Sequence, residues 1–258
     1  MPFFFNTKYL KILVNNANAI FANDELRFIF CKKRYETSHI KALKEKKYSL
    51  KNTVSHNLTA FQNLKTEFKI QRSKRLIFAM LADESISFKS KILVIGPRSE
   101  NELIFLKALG FKYTFGLDLI SYSNLITLGD MHKIPFRKNK FDSIVCGWTL
   151  SYSKNPQLAI QEISRVLKPN GCIALGVEHS NNNNKNSSNR EARLIDLGAS
   201  LKRRINSKKD ILKLFPNGKI KYINYVYDAE LKKLTPNKLY KITGLHSSQV
   251  MVVLKINK

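Results

Sequence analysis

The segment from Lys91 to His179 constrains the fold most, because short apolar runs alternate there with helical patterns. The apolar runs are Lys91–Gly96, Lys112–Asp118, Phe141–Gly147 and Gly171–Glu178, and the clearest helical patterns are Ser99–Leu109 and Pro156–Leu167. Alternating strand and helix signals imply a parallel sheet with helices on both faces. A sheet of this kind binds ligands at the carboxyl ends of its strands, where the strand order reverses. Gly96, Asp118, Asp130 and Gly147 all fall at such ends.

Each of these positions has a physical reading. A glycine ending the first strand permits a tight turn and close approach of a ligand. Asp118 lies 22 residues after Gly96. A carboxylate near that interval accepts two hydrogen bonds from a ribose diol, as in dinucleotide sites; the alternative is a surface turn residue. Asp130 is placed to accept from an adenine amino group, with the Met131 N–H near the ring. His132 reads as a loop cap. Trp148, the single tryptophan, either borders the site, stacking on a base or walling an acceptor, or is a core aromatic.

Around this core the chain is basic. Residues 1–90 carry 17 Lys+Arg against 7 Asp+Glu, residues 91–180 carry 11 against 7, and residues 181–258 carry 17 against 5, within a formal charge of +26. Such flanks attract nucleic acid, anionic lipid or an anionic substrate. The competing explanation is compositional drift, and only spatial clustering of the charge separates the two. No apolar run approaches the roughly 18 residues of a membrane span, and the start lacks the charged region of a secretory signal. Cys31, Cys146 and Cys172 have no zinc-like spacing, so they read as reduced core thiols of a cytoplasmic protein. The scattered histidines suggest no metal site.

Residues 1–90 read as a basic, helical N-terminal extension, with Leu58, Phe61, Leu64 and Phe68 at helical spacing and an apolar cluster over 76–81. Residues 41–51 are Lys-rich and expected to be solvated. The extension either covers the sheet edge or pocket, or packs on the core without further role. Residues 91–258 form the second unit, interrupted by the polar run 181–189, which cannot bury apolar surface. Helices are expected over 191–201 and 207–215, then strands over 219–227 and 249–256 that pair antiparallel at one edge.

Four motifs in order resemble class I S-adenosylmethionine (SAM) dependent methyltransferases, specifically the methyltransferase type 11-like domain. Ile92-Leu-Val-Ile-Gly-Pro-Arg-Ser-Glu100 stands where that family has its glycine-rich loop, and Gly116-Leu-Asp-Leu-Ile-Ser121 is similar to its acidic turn. Gly129-Asp-Met-His-Lys-Ile-Pro-Phe136 looks like its adenine-side motif, and Glu162-Ile-Ser-Arg-Val-Leu-Lys-Pro-Asn-Gly171 like the helix and turn before its fifth strand. The resemblance covers residues 85–180 and the order of the last two strands. It implies a Rossmann-like α/β fold, mostly parallel, with an antiparallel C-terminal edge strand. It also implies SAM as cofactor, with Gly96, Arg98, Glu100, Asp118, Leu119, Asp130, Met131 and Trp148 as the residues around it. Ser151 and Tyr152 fall where the family places acceptor-side residues, and Tyr152, Glu178 and His179 are the candidates for a catalytic role.

The chain departs from the family's pattern. Val94 replaces an acidic residue, and Arg98 and Glu100 replace glycines. A dinucleotide pyrophosphate needs those glycines; SAM carries no phosphate, so Arg98 is free to meet the methionine carboxylate and Glu100 the ammonium. The competing reading is that these side chains fill the site. The expected function is SAM-dependent methyl transfer to a small-molecule or glycan-type acceptor, anionic ones included. The alternatives are RNA methylation and a non-catalytic binding protein of the same fold. The oligomeric state stays open.

Overall fold

The computed structural model describes residues 17–44, 53–55, 57–59, 71–178, 205, 207–228 and 249–257. After a 3-10 turn (Ala17–Ala22) come α1 (Asp24–Thr37), β1 (Lys41–Ala42), α2 (Gln71–Leu81), β2 (Ile92–Ile95), α3 (Asn101–Ala108) and β3 (Thr114–Asp118). There follow β4 (Ile120–Ser121), β5 (Ile126–Leu128), β6 (Phe141–Gly147), a 3-10 turn (Thr149–Tyr152), α4 (Pro156–Val166) and β7 (Leu167–Glu178). The last elements are α5 (Lys208–Lys213), β8 (Ile220–Asp228) and β9 (Gln249–Ile256).

Local chemistry sets the helix starts. The Asn23 side chain accepts from the Glu25 and Leu26 N–H groups at 3.0 and 3.1 Å, capping α1. Asn155 caps α4 by accepting from Leu158 N–H at 3.2 Å, with Pro156 opening the helix. Ser207 caps α5 through Asp210 N–H.

The main sheet has seven strands in the order β5-β3-β2-β6-β7-β9-β8. The first five pair in parallel, while β9 runs antiparallel to both β7 and β8. The C-terminal strand is therefore antiparallel, as expected, and sits one place in from the edge with β8 outside it. Alternate residues split the core between two faces. Leu93, Ile95, Ile144 and Val252 pack under α4, while Ile92, Val94, Val145 and Val253 pack under α2 and α3.

Within the first 90 residues, α1 docks on α3 through polar side chains. Arg27, with 1% of its surface exposed, donates from Nε to Asn101 Oδ1 and from its terminal nitrogens to Phe21 O at 2.6 Å and to Asp24. Its guanidinium lies 4.9 Å from the Phe105 ring centroid. Lys41 and Ala42, in the stretch expected to be solvated, pair as β1 with β4. The expected helix at 191–201, the polar run 181–189 and most of the helical pattern at 58–68 lie outside the described residues. The three cysteines are buried and unbridged, and burial pushes each thiol up to about 12.

Candidate functional site

The carboxyl ends of β2, β3, β5 and β6 carry the motif residues. Gly96 turns out of β2 with φ +69°, and a Cβ there would fall 2.0 Å from Thr149 Oγ1. Both the left-handed backbone and the packing against the turn after β6 exclude a side chain at this position. Arg98 is also left-handed, at φ 53°, and its N–H donates to Asp118 Oδ2 at 2.7 Å. The Ile120 N–H donates to Asp118 Oδ1 at 3.3 Å. The loop after β2 and the acid ending β3 are thus one unit. Burial pushes the Asp118 carboxyl above its ordinary range, against the pull of the Arg98 and Ile120 N–H groups. Leu119 is half-buried, and its carbonyl accepts from Leu43 N–H at 2.8 Å.

Glu100 has no exposed surface, and Arg34 of α1 holds its Oε1 at 2.5 Å. Its Oε2 is buried without a hydrogen-bond partner among the described residues. The side chain expected to meet the methionine ammonium is therefore ion-paired to the N-terminal helix. The next residue, Asn101, is bound by Arg27 of the same helix.

Asp130 lies in the turn after β5. Its Oδ1 accepts from His132 N–H at 2.9 Å and lies 2.6 Å from His132 Nδ1, while His132 Nε2 lies 2.6 Å from Ser153 Oγ. An ionised carboxylate only accepts, so Nδ1 carries a hydrogen toward Asp130, while Nε2 shares a hydrogen bond with the serine hydroxyl. The Asp130 carboxylate, rather than His132 as expected, caps the turn, and the His132 ring ties it to the segment following β6.

The two halves of the adenine-side and helix motifs act on each other. Glu162 Oε2 accepts from Ile134 N–H at 2.8 Å, and Arg165 donates to the Phe136 and Ile134 carbonyls at 2.9 and 2.8 Å. The Arg165 hydrogen bond holds the Glu162 carboxyl below its ordinary range. Helix α4 thereby clamps the loop that carries Asp130 and Met131, a role that sequence spacing does not display.

Trp148 occupies a left-handed position, φ 62°, and its N–H donates to Gly176 O at 2.6 Å. Its ring packs on Gly176 within the core cluster containing Leu76 and Met80, on the α2 face. Met131 packs on the opposite face, under α4. The Trp148 ring thus packs on the α2 face, as the core-aromatic alternative expects. Ser151 and Tyr152 are half-buried in the turn after β6, and the Ser151 hydroxyl is buried without a hydrogen-bond partner among the described residues. Glu178 ends β7 opposite Gln249; its side chain and His179 lie outside the described residues.

Three residues escaped the sequence reading. Arg27 and Arg34 look like ordinary helix-surface cations, and nothing in their spacing marks them as partners of Asn101 and Glu100. Gln249 opens β9 and enters the sheet at its carboxyl end. It is 2% exposed, and its Oε1 is buried without a partner among the described residues. Among the described residues no group of His, Cys, Asp and Glu side chains is placed to hold a metal, and no helix is long and apolar enough to cross a membrane.

Comparison with known proteins agrees with this geometry. Residues 104–175 match the family model for a methyltransferase domain. A 48-residue stretch is 42% identical to the biotin biosynthesis bifunctional protein BioHC of Teredinibacter turnerae, covering 19% of this chain and 8% of that protein. Among solved structures, a chain of the complex between the Haloferax volcanii Trm112 methyltransferase activator and its assigned methyltransferase superimposes with a TM-score of 0.52 at 14% identity. That match covers 83% of this chain and 100% of the other. A Galdieria sulphuraria protein assigned as a sarcosine dimethylglycine methyltransferase gives a TM-score of 0.50 at 15% identity, covering 74% and 86% of the two chains.

Proposed function

We propose that this chain, which carries a methyltransferase domain of the class I fold, binds SAM and transfers its methyl group to a small-molecule or sugar-containing acceptor. One observation carries the reading: the buried Asp118 carboxylate, held by the Arg98 N–H at 2.7 Å, ends β3 beside the left-handed Gly96 turn. A carboxylate has about four acceptor positions, and the Arg98, Ile120 and Leu119 N–H groups already bear on it. A ribose diol would add hydroxyl donors and offset the burial that now disfavours its charge.

Asp130 and the Met131 N–H would meet the adenine, with His132 orienting the Asp130 carboxylate. Arg98 would face the methionine carboxylate. Glu100 would act mainly by fixing α1 over the start of α3, making the N-terminal extension part of the cofactor site. SAM supplies an electrophilic methyl group on a sulfonium, so the protein's main task is alignment of the acceptor. Ser151, Tyr152 and Gln249 stand nearest that task at the ends of β6 and β7.

Calorimetry with S-adenosylhomocysteine tests the reading. The wild type should bind it, and Asp118→Asn should weaken binding about 10- to 100-fold, the worth of hydrogen bonds to a charged group. Absence of heat at millimolar ligand would leave only the non-catalytic alternative.

A further inference from the structure

The end of the sheet opposite the candidate site has a different chemistry. The turns entering the strands there carry cations: Lys89 and Lys91 before β2, Lys112 before β3, and Arg137, Lys138 and Lys140 before β6. The row continues with Lys168 in the turn within β7 and Lys219 before β8. Hydrogen bonds stitch these turns together: Ile92 N–H to Tyr113 O at 2.9 Å, Asp142 N–H to Lys91 O at 2.9 Å, Lys140 N–H to Val166 O at 2.8 Å, and Asn257 N–H to Lys219 O at 2.7 Å. From β3 to β8 the row crosses five strand spacings, roughly 24 Å.

Few carboxylates interrupt it. Asp142 is bound by Lys168 Nζ at 2.6 Å, and Asp83 is buried against Lys255, leaving Glu84 exposed in the turn after α2. The cations are close enough to feel one another: burial first, then Lys91 and Arg137, hold the Lys140 amine below its ordinary range.

Two aromatic rings stand among these charges. Phe88 is 65% exposed and Tyr113 is 50% exposed. The Phe88 ring packs against Gly110 and lies 5.3 Å from the Phe111 ring centroid, which supports it from below while most of it faces water. An apolar ring held in this way is a stacking platform.

We propose that this face binds the phosphate backbone of single-stranded nucleic acid, with Phe88 and Tyr113 stacking on its bases. A cationic stripe alone suits any polyanion; the exposed rings interleaved with it favour unpaired bases over a lipid surface or a duplex. The face lies at the opposite end of the strands from Asp118, so it holds the nucleic acid as a tether and does not present it for methylation. The proposal is independent of the cofactor reading.

Fluorescence anisotropy with a fluorescein-labelled oligouridylate tests it, using the full chain. Binding should weaken with salt, and Arg137→Ala with Lys138→Ala should lower the log–log slope by about 1.4, or about 0.7 for each phosphate no longer neutralised. Phe88→Ala and Tyr113→Ala should each weaken binding about fivefold or more with the slope unchanged. All four substitutions should leave S-adenosylhomocysteine calorimetry as in the wild type. Salt-insensitive binding, variants indistinguishable from wild type, equal affinity for a duplex, or sedimentation with phosphatidylglycerol vesicles without oligonucleotide binding would each overturn it.

Discussion

His132 links two loops that come from different strand ends. It fixes the Asp130 carboxylate with its Nδ1–H and is hydrogen-bonded to the Ser153 hydroxyl through Nε2, each at 2.6 Å. Removing the ring takes away one donor to Asp130, leaving the His132 backbone N–H in place, and breaks the link to Ser153 in the segment after β6. His132→Ala should weaken S-adenosylhomocysteine binding about tenfold, the worth of one hydrogen bond to a charged group. S-Ribosylhomocysteine, which lacks the adenine, should bind the variant and the wild type equally in calorimetry. Equal losses for both ligands would mean that His132 only supports the fold. At this scale the strand-end positions of Gly96 and Asp118 were legible, because each follows a plain apolar run, whereas Asp130 was legible only through the Gly129–Phe136 motif. It was not legible at Glu100, because a helix distant in sequence supplies Arg34.

The α2–β2 turn is joined to β9 by a buried charge network. Asp83 Oδ1 lies 2.9 Å from Lys255 Nζ, and Asn224 Nδ2 donates to Asp83 Oδ2 at 2.6 Å. Burial alone would raise the Asp83 carboxyl, but hydrogen bonds from Ser85, Lys255 and Asn224 bring it from 3.8 down to about 2. A folded-state value below the unfolded one stabilises the protein above the unfolded value. The contribution should be complete above pH 3.8 and lost as the pH falls toward 2. Lys255→Met leaves a buried carboxylate without its cation and should cost about 3 kcal/mol at pH 7. Urea unfolding at pH 7 and pH 3 checks both points; the variant should also lose less stability on acidification. Most elements were legible from periodicity, β6 and β9 to the residue. The short β5 was missed because three residues carry no readable alternation, and β1 and β4 because two-residue bridges depend on a partner distant in sequence.

Among the described residues each face of the sheet has its own apolar cluster and a third lies beneath α1, and each cluster holds one buried thiol. Cys146 and Cys172 occupy central strands, and Cys31 lies on the buried side of α1 beside Ile104, Ile120 and Tyr122. Burial holds each near 12, so none offers a thiolate near neutral pH. Ellman's reagent should react with them only as the protein unfolds, with the Cys31 rate tracking detachment of α1. Early reaction of Cys31 alone would show that α1 leaves α3 without global unfolding, which would also release Glu100. The lysines of the turns entering the strands line one end of the sheet at this scale. Compositional drift predicts scattered lysines; their alignment in one row of turns is a property of the folded chain.

The sequence by itself determined the alternation of the longer strands and helices over 91–179, the last two strands, the Gly96 turn and the acid that ends β3. These depend on local periodicity and on short motifs whose spacing survives without knowledge of the fold. Only the tertiary structure decided that α1 clamps the start of α3, that α4 holds the Asp130 loop, that Trp148 packs on the α2 face, and that the lysines form one stripe. Each of those results joins residues far apart in the chain, and a one-dimensional pattern carries no record of which distant side chains meet when strands pair and helices pack.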